Sequence, residues 1–264
     1  MHTAAELQTA RTALADTWML VLAGGLGTRL RSVVADRPKV LALVGGQPFL
    51  DILVAQLHHH GVRRIGLLLG HLSEQVQAHV DNVLRVRFPD VEFATSVEPG
   101  PLGTAGALRY AAGRILPHAI AGSVMLMNGD TFVEFDPAAV LATHRATGAA
   151  VTMAIQHVPD VSRFGAVDVD ATGRVLAFRE KQARTGEGWI NAGVYAFAPT
   201  LLERIAPDRA VSLEGEIFPG LLAEGAHVHS APQRGHFVDF GTPESYAEFE
   251  SYVAGSAATV GKTP

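Results

Sequence analysis

The chain has 264 residues, of which 48% are apolar and only 18% charged, with a formal net charge of −5 and no cysteine. That length supports one large α/β domain. The acidic balance excludes a general nucleic-acid binder, which would carry a basic patch, and the absence of cysteine excludes disulfides and thiolate metal sites.

Residues 1–17 precede the first strand. Ala4, Leu7, Ala10, Arg11 and Leu14 have rough helical spacing, so a short helix or a disordered extension is expected, without a function. Residues 18–23 form an apolar run without polar alternation, which predicts a buried parallel strand. Gly24-Gly25-Leu26-Gly27-Thr28-Arg29-Leu30 follows. The glycines let the backbone turn sharply and bring bare N–H groups close to a ligand. Such groups bind anions, as helix N-termini do. Arg29 and, ten residues later, Lys39 add two cations, and the physical reading is a cradle for a polyphosphate. It is neither of two better-known glycine loops. The P-loop pattern is absent, and the dinucleotide pattern fails where Leu30 replaces its third glycine.

After an apolar run at 40–44 and a turn at Gly45-Gly46-Gln47-Pro48, Phe49, Ile52, Leu53, Gln56 and Leu57 have helical spacing. His58, His59 and His60 end that helix. Adjacent helix positions point about 100° apart, so these histidines cannot converge on one ion. Strands are expected at 65–69 and 91–95, with a helix from about Ser73 between them. This alternation predicts a parallel sheet with helices on both faces. Residues 96–108 then form a loop rich in proline and glycine that opens onto a helix, with Thr104 near its start. Glu98 is the notable side chain there. A carboxylate only accepts hydrogen bonds, so it suits the N1–H and N2–H₂ edge of guanine rather than thymine or uracil.

A fourth buried strand, 124–127, runs into Asn128-Gly129-Asp130. A carboxylate at the C-terminal end of a parallel strand sits where open α/β sheets bind ligands, which makes Asp130 a candidate Mg²⁺ ligand. Asp136 is expected to cap a helix from Pro137, and 149–156 to form a fifth strand. The pattern then changes. Residues 162–170 alternate, Thr172-Gly173 turns the chain, and 175–178 returns as in a hairpin. A strand at 188–197 follows, carrying Asn191, and Ser212 is expected to cap a helix that begins there. Asp239 lies between apolar residues, a costly place for an unpaired acid, and a metal would resolve that cost. Pro243 starts a terminal helix with Tyr246, Phe249 and Tyr252 as its apolar face, and 255–264 reads as a frayed tail. No run of about 18 apolar residues occurs and no secretory leader opens the chain, so no membrane partner and a cytoplasmic location are expected.

Gly-Gly-x-Gly-Thr-Arg-Leu followed by Pro-Lys resembles the signature of the sugar-1-phosphate nucleotidyltransferases, and the resemblance runs through residues 18–250. It implies an α/β fold with a Rossmann-like, mixed, mostly parallel sheet (nucleotide-diphospho-sugar transferase, GT-A-like) and a small sugar-binding β lobe. One domain would span 18–254, with 18–148 mainly binding nucleotide and 149–254 mainly sugar, between extensions at 1–17 and 255–264. The resemblance places Leu22, Ala23, Gly24, Gly25, Gly27, Thr28, Arg29, Lys39, Glu98, Pro101, Gly103 and Thr104 on the nucleotide. Gly165, Glu180, Lys181 and Asn191 would meet the sugar phosphate, although Gln182 stands where the family usually has proline. Asp130 and Asp239 would hold Mg²⁺, with Mn²⁺ as a substitute, and Arg29, Lys39 and Asp130 would be catalytic.

The implied reaction needs no nucleophilic side chain. An ionised sugar 1-phosphate attacks the α-phosphate of a nucleoside triphosphate in line, and pyrophosphate leaves. Within the family the pattern is most similar to guanylyltransferases acting on D-glycero-α-D-manno-heptose 1-phosphate. The fragments Val161-Ser162-Arg163-Phe164-Gly165, Ile190-Asn191-Ala192-Gly193 and Ser212-Leu213-Glu214 carry that similarity. It implies GTP and the heptose phosphate as partners, and a GDP-heptose for capsule, lipopolysaccharide or S-layer glycan. Mannose- and glucose-1-phosphate nucleotidyltransferases stay open as alternatives. So do a glycosyltransferase using Asn128-Gly129-Asp130 for its metal and a catalytically silent sugar-nucleotide sensor. A homo-oligomer is also left open.

Overall fold

The computed structural model describes residues 2–25, 27, 30, 36–116, 122–179, 185–207 and 209–260. Helix α1 (Ala4–Leu14) is closed by a capping box. The Thr3 hydroxyl accepts from the Glu6 N–H at 3.2 Å, and the Glu6 carboxylate accepts from the Thr3 N–H at 2.7 Å. Strand β1 (Trp18–Leu22) follows, then a 3₁₀ turn at Lys39–Leu41 and a small hairpin of β2 (Leu43–Val44) and β3 (Gln47–Pro48). Next come α2 (Phe49–His59), β4 (Arg64–Leu69) and α3 (Ser73–His79), which continues through a π-helical turn at Val80–Leu84 into α4 (Arg85–Arg87). Strand β5 (Glu92–Val97) leads to α5 (Gly103–Ile115), β6 (Val124–Asn128), β7 (Thr131–Val133) and α6 (Pro137–Thr147). Asp136 caps α6 by accepting from the Ala138 N–H at 2.9 Å, and Gly148 ends it at a φ of 60°.

The second half is richer in strand. It holds β8 (Val151–Val158), β9 (Ala166–Val169), β10 (Val175–Arg179) and β11 (Gly188–Phe197). A π-helical turn at Leu213–Ile217, capped by Ser212, leads into α7 (Phe218–Ala223). Strands β12 (Val228–Gln233) and β13 (Phe237–Asp239) and helix α8 (Pro243–Val260) complete the chain.

One nine-stranded sheet takes strands from both halves, in the order β10-β9-β11-β6-β1-β4-β5, with β8 joined to β11 and β12. The neighbours β6, β1, β4 and β5 are parallel, whereas β11 runs antiparallel to β6, β8 and β9. The two-residue period of the strands sorts their side chains onto two cores. Met19, Val21, Ile65, Leu67, Met125 and Met127 face one, with Phe49 and Leu53 of α2 and Val140 and Leu141 of α6. Trp18, Leu20, Val124 and Leu126 face the other, with Leu108 and Ile115 of α5 and Phe218 of α7. Phe49 stacks on Phe240 with ring centroids 4.3 Å apart and meets Phe249 of α8 edge-on. Each such buried ring contributes about 2–3 kcal/mol. Together they pin the chain immediately after Asp239.

Of the two alternatives for residues 1–17 the short helix holds, and Ala10 and Leu14 of α1 are buried in the first core. Several expectations need correction. The terminal helix continues past residue 254 to Val260. Residues 162–165 turn rather than extend, because Asp160 accepts from the Ser162 N–H at 3.0 Å and from its hydroxyl at 2.7 Å. Strands β7 and β12 were not anticipated. Strand β12 contains Pro232, which it tolerates because its ladder partner is β8 alone.

Candidate active site

The carboxyl ends of β1, β4 and β6 open onto a cleft of about 720 Å³. That is where open parallel sheets bind ligands, and its size falls in the usual range for small-molecule sites. The glycine turn supplies Leu22, Ala23, Gly24, Gly25 and Gly27 to the wall. Glu98, Pro101, Gly103, Thr104, Lys39 and Asp130 line it as well.

Backbone hydrogen bonds lace the strand ends together. The Ala23 N–H donates to the Leu68 carbonyl at 2.8 Å, and the Gly129 N–H donates to the Leu22 carbonyl at 2.9 Å. Side chains have no room at these crossings. A Cβ on Gly70 would lie 2.8 Å from the Gly24 carbonyl oxygen and 2.8 Å from Glu98 Oε1, and one on Gly129 would lie 2.5 Å from the Leu22 oxygen. Glycine thus brings the backbone itself up to the ligand space.

Lys39 is the cation this arrangement fixes. Its Nζ donates to Asp130 Oδ2 at 3.0 Å, and its side chain is only 10% exposed, while the Asp130 side chain is 47% exposed. Gly27 packs against the Lys39 stem, since a Cβ on Gly27 would lie 3.2 Å from Lys39 Cβ. One polyphosphate could therefore meet the glycine turn and the ammonium together.

Glu98 stands at the other end of the cleft. Its Oε2 accepts from the Leu102 N–H at 3.1 Å, and its Oε1 lies against Gly24 and Gly70. Burial pushes its carboxyl above the ordinary glutamate value, with the Leu102 hydrogen bond acting in the opposite direction. One oxygen thus braces the loop.

Asp239 does not line this cleft. The β13–β7 ladder sets it opposite Thr131, the residue after Asp130, and the Phe240 N–H donates to the Asp130 carbonyl at 2.9 Å. Gly241, two residues beyond Asp239, does line the cleft. Among the described residues no cluster of three or more His, Cys, Asp or Glu side chains is assembled. Of the two aspartates, Asp130 alone brings a carboxylate to the cleft wall, and one carboxylate completed by phosphate oxygens and water is within the donor range Mg²⁺ uses. The adjacent histidines do not converge: His58 pairs with Asp90 at 3.0 Å, while His59 meets His60 edge-on.

Gly165 and Asn191, expected at the sugar phosphate, come together outside the cleft lining, with the Asn191 N–H donating to the Gly165 carbonyl at 3.2 Å. The expected site residues Thr28, Arg29, Glu180 and Lys181 lie outside the described residues. The cleft also contains Gly70, His71 and Asn128, which the sequence reading did not single out as ligand contacts. All three occur at or just beyond the carboxyl end of a parallel strand, and that position was the available signal.

Comparison with known proteins follows the same lines. A family model described as nucleotidyl transferase matches residues 19–255. A mannose-1-phosphate guanylyltransferase of Mycobacterium tuberculosis is 34% identical over 228 residues, which cover 86% of this chain but 62% of that protein. A D-glycero-α-D-manno-heptose 1-phosphate guanylyltransferase of Aneurinibacillus thermoaerophilus is 30% identical, with 86% of this chain and 94% of that one covered. The crystal structure of HddC from Yersinia pseudotuberculosis complexed with GMP-PN superposes with a TM-score of 0.77 at 30% identity, covering 90% of this chain and 99% of HddC. The mixed, mostly parallel sheet with flanking helices is thus shared with HddC, and the chain belongs to the nucleotidyl transferase family.

Proposed function

We propose that this protein condenses GTP with a sugar 1-phosphate to give a GDP-sugar and pyrophosphate, and that the sugar is D-glycero-α-D-manno-heptose. The observation that carries the reaction is the placement of the glycine turn, Lys39, Asp130 and Glu98 around one cleft. Relatives named as guanylyltransferases support the base and the reaction class. The heptose reading rests on the fragments Val161–Gly165, Ile190–Gly193 and Ser212–Glu214 and is supported by two relatives named as D-glycero-α-D-manno-heptose 1-phosphate guanylyltransferases, at 28% and 30% identity. A second reading, mannose 1-phosphate, is favoured by the higher identity of 34% to that enzyme.

In this reading an oxygen of the sugar phosphate attacks the α-phosphorus of GTP. The new P–O bond forms as the bond to the bridging oxygen of pyrophosphate breaks. Both reactants are anions, so positioning and charge neutralisation carry the catalysis. Backbone N–H groups of the glycine turn hold the triphosphate. Lys39 neutralises the α-phosphate, Arg29 the departing pyrophosphate, and Lys181 the incoming phosphate. Glu98 accepts from the guanine edge, the Gly103 backbone packs on the base, and Glu180, Gly165 and Asn191 contact the sugar. Asp130 and Asp239 would hold Mg²⁺, which supplies charge neutralisation across the phosphates when bound. GTP supply places the enzyme in the cytoplasm, and a GDP-heptose would feed a bacterial surface polysaccharide. No described helix is long and apolar enough to cross a membrane.

The test is a panel of the four common nucleoside triphosphates against heptose, mannose and glucose 1-phosphates, with and without Mg²⁺, read as pyrophosphate release. The reading expects GTP with heptose 1-phosphate and Mg²⁺ to give the highest kcat/KM. A higher value for mannose 1-phosphate selects the second reading, and preference for another base removes the role given to Glu98.

A further inference from the structure

A chain of hydrogen bonds links the two halves of the candidate site through residues assigned no chemistry above. Asn191 Nδ2 donates to the Tyr195 hydroxyl oxygen at 2.6 Å. The Tyr195 O–H donates to Glu214 Oε1 at 3.3 Å. The other carboxylate oxygen, Oε2, accepts from the Thr104 hydroxyl at 2.9 Å and from the Ser212 hydroxyl at 3.3 Å. Thr104 Oγ1 in turn accepts from the Leu213 N–H at 2.8 Å. The hydroxyl donors of the run converge on the Glu214 carboxylate. Tyr195 is 1% exposed, and burial together with Glu214 pushes its phenol well above its ordinary range, so it remains a donor.

The ends of this chain lie in different places. Thr104 lines the nucleotide cleft at the first turn of α5, while Asn191 stands on β11 beside Gly165. The backbone around Glu214 reinforces the bridge. The Val211 carbonyl accepts from the Ala105 N–H at 2.9 Å, and the Val211 N–H donates to the Leu102 carbonyl at 2.8 Å. A Cβ on Gly103 would lie 2.6 Å from the Val211 oxygen, so the segment is seated directly on the nucleotide loop.

The Asn191 amide is thereby fixed in one orientation. Its Nδ2 is committed to Tyr195, and its Oδ1 accepts from the Gly193 N–H at 3.0 Å. One N–H and one lone pair of the amide are left over, with a set polarity.

We propose that Glu214 is a positioning residue that clamps the nucleotide loop to the sugar-contacting amide, so that occupancy of the nucleotide cleft raises affinity for the sugar phosphate. The proposal rests on the functional reading above for the identity of the two ligands. Binding linkage is reciprocal, so a change at either end of the chain must be felt at the other.

The test is a double-mutant cycle on the full-length protein with Tyr195→Phe and Thr104→Val, each changing one hydroxyl, and with Glu214→Gln as a third variant. Mannose 1-phosphate affinity is measured calorimetrically with and without saturating α,β-methylene-GTP, and KM values are measured alongside. Tyr195→Phe is expected to weaken mannose 1-phosphate about tenfold when the analogue is bound, and to leave analogue affinity measured without sugar phosphate within about twofold. Thr104→Val, on the nucleotide side, should weaken mannose 1-phosphate about fivefold, and the double variant should be no worse than about tenfold. Glu214→Gln should match the double variant, because its amide nitrogen cannot accept.

Effects that multiply in the double variant overturn the clamp. So does a Thr104→Val protein with unchanged sugar-phosphate affinity, or a wild type that binds neither ligand. A wild type that shows the non-additive binding but releases no pyrophosphate overturns the functional reading and leaves the clamp standing.

Discussion

The two halves of the molecule present different kinds of surface. The first half offers backbone. Gly70 and Gly129 stand where strand ends cross too closely for any Cβ, Gly24 is nearly as tight, and among the described residues Lys39 is the cation held at the cleft. The second half offers side chains on antiparallel strands, typified by Asn191 on β11, whose polarity is set by Tyr195. Under the proposed function, backbone would recognise what every triphosphate shares, whereas side chains would choose among sugars, and the contrast would explain why the reaction class is easier to read than the sugar.

Substitutions can break this comparison, the largest effect falling on charge. Lys39→Ala and Asp130→Asn should each lower kcat by on the order of 10²-fold or more, with smaller changes in either KM, as steady-state pyrophosphate release will show. Gly70→Ala attacks the backbone side alone. Its Cβ would sit 2.8 Å from the Gly24 carbonyl, so the glycine turn must shift, and GTP affinity should fall by roughly tenfold or more with thermal stability also reduced. Asn191→Ala is the mirror experiment. It should raise the sugar-phosphate KM about tenfold and leave the GTP KM within about twofold.

Glu98→Gln should have the mildest effect, an approximately tenfold loss of preference for GTP over ATP in competition assays. The wild-type pH dependence sharpens the same point. Guanine N–H groups need the ionised carboxylate, and burial raises the Glu98 pKa. GTP affinity should therefore be complete above that raised value and fall as pH drops through it, beginning at a higher pH than for an exposed glutamate. In Glu98→Gln that decline should be absent from a titration followed by calorimetry.

What could be read from the sequence follows the same division. The glycine turn, Lys39 and Asp130 were legible because consecutive residues build the cradle and a strand end fixes the carboxylate. The parallel strands β1, β4 and β6 were legible as largely apolar runs, and β5 as a shorter mixed segment in the same strand–helix alternation. Strands β7 and β12 were not, because three-residue and proline-containing edge strands carry little periodicity. The capping box of α1 was present as Thr3 and Glu6, yet burial of Ala10 and Leu14 depends on packing that no local pattern reveals. The Thr104–Glu214 contact joins residues 110 positions apart and has no local signature.

One measurement bears most directly on the account: simultaneous quantification of GDP-sugar and pyrophosphate from GTP and a sugar 1-phosphate, for the wild type and for Lys39→Ala. The account predicts the two products in equal amounts from the wild type, at a rate at least about 10²-fold above the variant. Release of GDP in place of pyrophosphate, or equal turnover by Lys39→Ala, would contradict it.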